Sequence, residues 1–139
     1  MKSVTKPVIL YAEDDQDDFE GLKDALEQLS DTHTLVQAKN GTEVQAYLEK
    51  SEDEDMPGLI VLDLNMPIMD GKETLLWLKN HNRYNNIPTM VFTTSSREED
   101  LRLCKSYDCT FFRKPTLYRD LLHVVQMMLS MSGQQTNIQ

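Results

Sequence analysis

Short apolar segments alternate with longer amphipathic segments along the whole chain. Three of the apolar segments are almost uninterrupted, as expected for parallel strands that helices cover on both faces. The segments with a strand pattern are VILYA (8–12), TLVQA (34–38), LIVLD (59–63), TMVFT (89–93) and TFF (110–112). Between and after them, apolar residues recur three and four positions apart, which predicts helices at 17–30, 42–50, 72–81, 96–106 and 117–131.

The predicted order is βαβαβαβαβα, which is typical of a parallel sheet with right-handed crossovers and helices on both faces. Local signals mark three helix starts. Thr42 is a candidate N-cap of the second helix, and Asp70-Gly71 is expected to form the turn and cap before the third. Ser96 followed by Glu99 resembles a capping box for the fourth helix, which has the thinnest apolar stripe of the five.

Composition narrows the class of protein. A chain of 139 residues, 40% of them hydrophobic, suits one domain with a substantial core. The formal net charge of -9 disfavours nucleic-acid binding, because an acidic surface repels phosphate backbones. No apolar stretch approaches the roughly 20 residues of a membrane span, and the N-terminus has no apolar core of a signal peptide. A cytoplasmic protein is therefore expected.

The cysteines and the C-terminal segment give two further expectations. Cys104 and Cys109 lack CxxC spacing, so we expect reduced thiols of a cytoplasmic protein rather than a disulfide. The polar C-terminal segment 132–139 is expected to be a disordered tail that follows a single domain over 1–131.

Polar side chains follow the apolar strands at the point where each strand ends. The acids EDD (13–15) follow the first strand, and Asp63 ends the third. The hydroxyl residues TTS (93–95) end the fourth, and the fifth leads into RKP (113–115), which contains Lys114. Asp63 could simply cap the next helix. In open α/β sheets, however, ligands bind beyond the carboxyl ends of the strands, and neighbouring first and third strands would crowd three carboxylates together. Such a cluster favours Mg²⁺, and a carboxylate beside a cation, a lysine and a hydroxyl can attack phosphorus.

The motifs ILYAEDD, VLDLNMPIMDG, TMVFTTSS and FFRKP, in this order and spacing, resemble the receiver domain of response regulators in two-component signalling. The resemblance runs from about Val8 to Met131. It implies a flavodoxin-like fold, with a five-stranded parallel sheet in the order 2-1-3-4-5. The segment RYNNIPTMVFTTSSREED is most similar to standalone receivers associated with bacterial phytochrome-type kinases.

The resemblance implies a phosphorylation site and a metal site. Asp63 would accept the phosphoryl group. Glu13, Asp14, Asp63 and the main-chain carbonyl of Asn65 would hold Mg²⁺. The acidic pair is Glu-Asp where many members have Asp-Asp, and the longer side chain still reaches a hydrated metal.

The resemblance also implies a switch. Thr93 would bond a phosphoryl oxygen, and Lys114 would pair with the phosphate or, before that, with Asp63. The Lys114–Pro115 bond is typically cis in this family, so Pro115 is a cis-proline candidate. Phe111 takes a position that is often tyrosine, so any hydroxyl bond of the switched state is absent.

The expected function is therefore a phosphorylation-dependent switch rather than an enzyme acting on other substrates. Its partners would be a sensor histidine kinase or phosphotransfer protein and an unknown downstream protein, met through the fourth helix, fifth strand and fifth helix. Self-association on that face is a further expectation. Two alternatives remain. A hydrolase of the haloacid-dehalogenase type would need aspartate where Asn65 stands, and a pseudo-receiver would not need the site residues that are all present.

Overall fold

A five-stranded parallel sheet forms the centre of the molecule, in the order β2-β1-β3-β4-β5. The computed structural model describes residues 7–95 and 97–133. The strands are β1 (Val8–Ala12), β2 (Thr34–Ala38), β3 (Leu59–Leu62), β4 (Thr89–Thr93) and β5 (Thr110–Arg113). The helices are α1 (Gln16–Leu29), α2 (Gly41–Lys50), α3 (Gly71–Lys79), α4 (Glu98–Ser106) and α5 (Tyr118–Gly133), with a 3₁₀ turn at Asp53–Asp55. The predicted fold class and strand order are confirmed.

Two hydrophobic layers lie on opposite faces of the sheet, because side chains alternate along a strand. In β1, Leu10 and Ala12 pack with α2, α3 and α4, whereas Ile9 and Tyr11 pack with α1 and α5. All four side chains are fully buried. The near-continuous apolar pattern of the central strands therefore reflects helices on both faces, as predicted.

Side-chain caps fix the starts of α1, α2 and α3. Asp15 caps α1 by accepting the Asp18 N–H at 3.0 Å. The predicted cap Thr42 is wrong: it lies inside α2, and Asn40 is the N-cap, because the helix already begins at Gly41. Asp70 caps α3 in a capping box, so the interpretation of Asp70-Gly71 is confirmed.

The fourth helix has the fewest buried residues of the five described helices. It begins at Glu98, two residues later than predicted, and Arg97 at the N-cap position makes no side-chain cap bond. The predicted cap Ser96 lies outside the described residues. Only Asp100 and Cys104 of this helix are buried, which agrees with the thin apolar stripe of the sequence.

Cys104 and Cys109 form a disulfide, so the prediction of reduced thiols is wrong. The reason is the tight turn between α4 and β5. Asp108 takes a left-handed conformation with φ 59°, and the Cys109 N–H donates to the Cys104 carbonyl at 3.0 Å. The turn brings the two Cα atoms to 5.3 Å, a distance that a disulfide spans. Spacing in the sequence did not reveal this approach.

The fifth helix is longer at its C-terminal end than the pattern predicted. It continues through Ser132 and Gly133, which the sequence had assigned to a disordered tail. The rest of that predicted tail, 134–139, lies outside the described residues. Among the helices that the structure describes, none is long and apolar enough to cross a lipid bilayer.

Candidate functional site

The carboxyl ends of the central strands open into a cleft of about 500 Å³. Main-chain bonds extend the sheet past the strand ends and hold the polar residues there. The Glu13 N–H donates to Ala38, the Asp63 N–H donates to Ala12 at 3.0 Å, and the Lys114 N–H donates to Thr93 at 2.8 Å. The cleft is lined by Glu13, Asp14, Asp15, Gln16, Asp17, Asp18, Asp63, Asn65, Thr94 and Lys114. Residues far apart in the chain thus meet in one site.

Three carboxylates of the cleft form a cluster that suits a hard cation. Glu13, Asp14 and Asp63 each have an oxygen within 4.8 Å of the others, as the sequence predicted. Glu13 and Asp63 are buried, whereas Asp14 is exposed. Oδ1 of Asp63 is buried and has no hydrogen-bond partner in the described part of the chain. Since a buried carboxylate oxygen needs a partner, these residues fit a divalent metal ion, and Asn65 lines the same cleft.

Lys114 supplies the positive charge of the site. Its Nζ forms an ion pair with Glu13, lies 2.8 Å from Oδ2 of Asp18, and lies 3.6 Å from Oδ2 of Asp63. Burial alone would lower the pKa of Lys114, but its bonds to Asp18 and Glu13 raise that pKa above its usual value. The side chain is therefore an ammonium at neutral pH, although it is mostly buried.

Tyr11 extends the network beneath the carboxylates. Its hydroxyl donates to Oε1 of Glu13 at 3.2 Å, and burial raises the pKa of this hydroxyl far above its usual value. Burial also raises the pKa of Glu13, while Lys114 and the Asp15 N–H lower it. Tyr11 therefore remains a hydrogen-bond donor that orients Glu13 toward the cleft.

The loop after β3 holds Asp63 in place through a glycine. Gly71 packs so closely on this loop that a Cβ there would clash with the carbonyl oxygen of Asp63. Its N–H donates to the Leu64 carbonyl at 3.1 Å. The Asp-Gly pair thus does more than start α3, because it also fixes the main chain that carries Asp63.

Two of the predicted switch residues, Thr93 and Phe111, do not line this cleft. The Thr93 side chain is fully buried, and its Oγ1 accepts the Ser95 N–H at 3.4 Å, while Thr94 lines the cleft. Phe111 is half-buried and lines a separate cavity of about 410 Å³ between α4 and β5. In this structure Thr93 therefore faces its own loop, one residue away from the open site.

The predicted cis bond before Pro115 is wrong for this structure, since the described residues contain no cis peptide. The trans form is the favoured one for an X-Pro bond by about 0.5–1 kcal/mol. With the bond trans, the Lys114 ammonium still pairs with Glu13 and Asp18 and lies 3.6 Å from Asp63. The position of Lys114 in the site thus does not need the cis form.

Sequence reasoning missed two residues of the site. Tyr11 sits in a strand pattern that indicates only core packing, and nothing in the sequence separates it from its apolar neighbours. Asp18 lies in α1, 96 positions before Lys114, and its contact depends on the packing of that helix beside the site. A weak signal was available, because Asp18 falls in the first turn of the helix that follows Glu13 and Asp14.

Comparisons with known proteins agree with this geometry. Residues 9–126 match the family model described as response regulator receiver domain. Response regulator Rcp1 of Synechocystis sp. is 33% identical over 125 residues, covering 86% of this chain and 84% of Rcp1. The probable methanogenesis regulatory protein FilR2 of Methanothrix harundinacea is 31% identical over 122 residues, covering 86% of this chain and 79% of FilR2.

Two solved structures are similar over nearly the whole chain. The phosphorylated cyanobacterial phytochrome response regulator RcpA has a TM-score of 0.83 at 27% identity, covering 94% of this chain and 96% of RcpA. The Mn²⁺-bound form of Rcp1 has a TM-score of 0.79 at 29% identity, covering 96% of this chain and 97% of Rcp1. The likeness therefore includes the strand ends that form the cleft.

Proposed function

Because this chain belongs to the response regulator receiver family of two-component signalling, we propose that Asp63 accepts its phosphoryl group. One observation carries the assignment: a buried oxygen of Asp63 accepts no hydrogen bond from the residues that the structure describes. Asp63 lies at the end of the central strand, between two acids and a lysine. The other carboxylates of the cluster are less suited. Glu13 is occupied by Lys114 and Tyr11, and Asp14 is exposed.

Transfer of the phosphoryl group requires a nucleophile and a positive charge that offsets the negative charge of the phosphoryl oxygens. A carboxylate oxygen of Asp63 attacks phosphorus and forms an O–P bond, while the P–N bond of a phosphohistidine donor breaks. The electron pair of that bond remains on the imidazole, which leaves as the neutral ring once its other nitrogen carries a proton. In hydrolysis, water attacks phosphorus and the carboxylate of Asp63 leaves with the electron pair. Lys114 offsets the negative charge that the phosphoryl group brings.

Receiver domains bind a divalent metal, and we infer that Mg²⁺ is the ion here. Asp14 and Asp63 would supply carboxylate oxygens directly, and Glu13 would hold the ion through a water molecule. The main-chain carbonyl of Asn65 is the proposed third direct protein ligand. Oxygen donors alone are what Mg²⁺ prefers. When bound, the ion would neutralise charge on the carboxylates and on the phosphoryl oxygens. The Mn²⁺-bound structure of the similar protein Rcp1 supports a divalent site.

Mapping the modification tests the proposal. The wild-type protein is incubated with phosphoramidate and Mg²⁺, and the acyl phosphate is reduced with borohydride before proteolysis and mass spectrometry. We expect one modified residue, Asp63, because among the described carboxylates that line the cleft only Asp63 has a buried oxygen without a hydrogen-bond partner. Modification confined to another acid of the cleft would contradict the assignment.

A histidine kinase or a phosphotransfer protein is the proposed donor. Receiver domains take phosphoryl groups from histidine kinases, and the similar protein RcpA is a phytochrome response regulator. We therefore propose a phytochrome-type kinase as the first donor to test. The chain would then turn over only its own phosphoryl group, as a signalling component rather than an enzyme with a separate substrate.

We place the output on the surface formed by α4, β5 and α5, called the output face below. The cavity of about 410 Å³ on this face is lined partly by Leu101, Cys104 and Phe111, and Leu101 is 41% exposed. The disulfide ties the C-terminal half of α4 to β5, so movement is expected in the first turn of α4. A downstream protein or a second copy of the chain would bind there.

Thr93→Ala should uncouple this face from phosphorylation. A phosphoryl group shifts a conformational equilibrium only by its different affinity for the two states, and a hydroxyl that turns from Ser95 to phosphate supplies that difference. We expect Thr93→Ala to accept phosphate on Asp63 but to lose most of the change in hydrogen exchange over 97–113. Thr93→Ser, which keeps the hydroxyl, should retain the change. An equal response in wild type and Thr93→Ala would rule out this route.

Sedimentation of the phosphorylated and unphosphorylated proteins over a range of concentrations tests the second-copy form of this proposal. A mass that rises with concentration only after phosphorylation is expected if the output face associates with itself. A monomer in both states would exclude self-association, and the partner of the output face would then be a different protein.

A further inference from the structure

Asp18 has no part in the phosphoryl transfer described above, yet it is bonded to the lysine on which that transfer depends. The Nζ of Lys114 lies 2.8 Å from Asp18, within hydrogen-bond distance, and 3.6 Å from Asp63, beyond it. Its other close partner is the buried Glu13. The ammonium of Lys114, which we propose pairs with the phosphoryl group on Asp63, is thus bonded to two other carboxylates.

The first turn of α1 places the main chain of Asp18 beside Lys114. The Asp18 N–H donates to the cap residue Asp15 at 3.0 Å, so the main chain that carries it is held by the capped start of the helix. Asp18 also lines both the main cleft and a smaller cavity of about 120 Å³ beside Lys114 and Pro115. The contact with Lys114 therefore starts from a main-chain position that the capped helix start holds.

We propose that Asp18 is a positioning residue that holds Lys114 away from Asp63 and thereby restrains phosphorylation. The inference rests on the proposed function of Asp63. For Lys114 to pair with the phosphoryl group as it reaches Asp63, its bond to Asp18 must lengthen or break. That cost is subtracted from the stabilisation that Lys114 gives the phosphoryl group during transfer, and it slows phosphorylation. Removing the carboxylate of Asp18 removes the cost.

The opposite role, in which Asp18 delivers Lys114 to the site, is disfavoured by Glu13. That side chain is buried and pairs with Lys114 without help from Asp18, so Lys114 stays in the site when Asp18 is changed. Asp18 itself is 46% exposed at its side chain, so the pair is of moderate strength. An effect of about two- to fivefold on phosphorylation is the scale expected for such a pair.

Asp18→Asn tests the proposal, with Asp17→Asn as the matched control. Asp17 has the same charge, neighbours Asp18 in the first turn and lines the same two cavities, but no ion pair with Lys114 is found among the described residues. With phosphoramidate and saturating Mg²⁺, we expect Asp18→Asn to be phosphorylated about two- to fivefold faster than Asp17→Asn. Asp18→Glu should return the rate toward that of the wild type. Equal rates in Asp18→Asn and Asp17→Asn, or a slower rate in Asp18→Asn, would overturn the proposal.

A second measurement does not depend on phosphorylation. In metal-free protein, the ¹H–¹⁵N signal of the Lys114 ammonium should move in Asp18→Asn and stay in place in Asp17→Asn. An unmoved signal in Asp18→Asn would refute the pairing itself. If instead the signal moves but the wild type carries its phosphoryl group elsewhere than on Asp63, the proposed function fails while the Asp18–Lys114 pair stands.

Discussion

Asp63→Asn is expected to abolish phosphoryl acceptance and to leave the fold intact. Asparagine has nearly the same volume, but its amide does not provide the carboxylate oxygen that attacks phosphorus. We expect the initial rate with phosphoramidate to fall at least about a hundredfold, since the loss of a nucleophile removes the reaction rather than slowing it. Intact-mass spectrometry over time measures this rate directly.

A stability measurement separates this loss from unfolding. Asp63 is buried beside Glu13 and Asp14, and asparagine removes one of three clustered negative charges. Lys114 keeps its bonds to Glu13 and Asp18 in the variant. The urea midpoint of metal-free Asp63→Asn should therefore equal or exceed that of the wild type. Phosphorylation of a folded Asp63→Asn protein at a comparable rate would show that a different carboxylate is the acceptor.

The sheet and the central site residues could be predicted because both follow from local patterns. Apolar segments such as LIVLD define strands regardless of what packs on them, and the carboxyl ends of parallel strands must lie at one edge. Asp63 was identified because a carboxylate at the end of a buried strand needs a partner. The ends of the other strands offered several polar residues each, and the resemblance to receiver domains selected Asp14, Thr93 and Lys114 among them.

The features that sequence reasoning missed depend on geometry between distant segments. The contact of Asp18 with Lys114 arises from how α1 packs beside β5, which the helical pattern of α1 does not describe. The disulfide required the left-handed turn at Asp108, and a spacing of five residues does not predict that turn. Likewise, Asn40 rather than Thr42 caps α2 because the helix starts earlier than its apolar stripe.

The side-chain orientation at Thr93 marks a further limit of sequence reasoning. The sequence places a hydroxyl at the end of β4, but it does not say which of two adjacent threonines faces the cleft. In the structure Thr94 does, while Thr93 bonds to Ser95. That choice depends on the path of the loop after β4, and therefore on α4, the helix with the weakest sequence pattern.

The acceptance of phosphate by Asp63 should depend strictly on Mg²⁺ held in part by Asp14. Lys114 offsets the charge of Glu13, but the cluster still has the carboxylates of Asp14 and Asp63, which would repel a phosphoryl donor. We expect chelation to stop phosphorylation by phosphoramidate. In Asp14→Asn, the Mg²⁺ concentration for half-maximal rate should rise by about tenfold or more, equivalent to about 1.4 kcal/mol of lost binding per factor of ten.

Asp15→Asn is the matched control for this change. It removes the same charge from the adjacent residue, and asparagine is as good an N-cap as aspartate, so α1 keeps its capped start. Because Asp15 is not part of the three-carboxylate cluster, its variant should need nearly the same Mg²⁺ concentration as the wild type. Calorimetric titration of the unphosphorylated proteins with Mg²⁺ should give the same ranking without any phosphoryl transfer. If Asp14→Asn and Asp15→Asn weaken Mg²⁺ binding equally, general charge near the cleft governs affinity, and Asp14 is not a ligand.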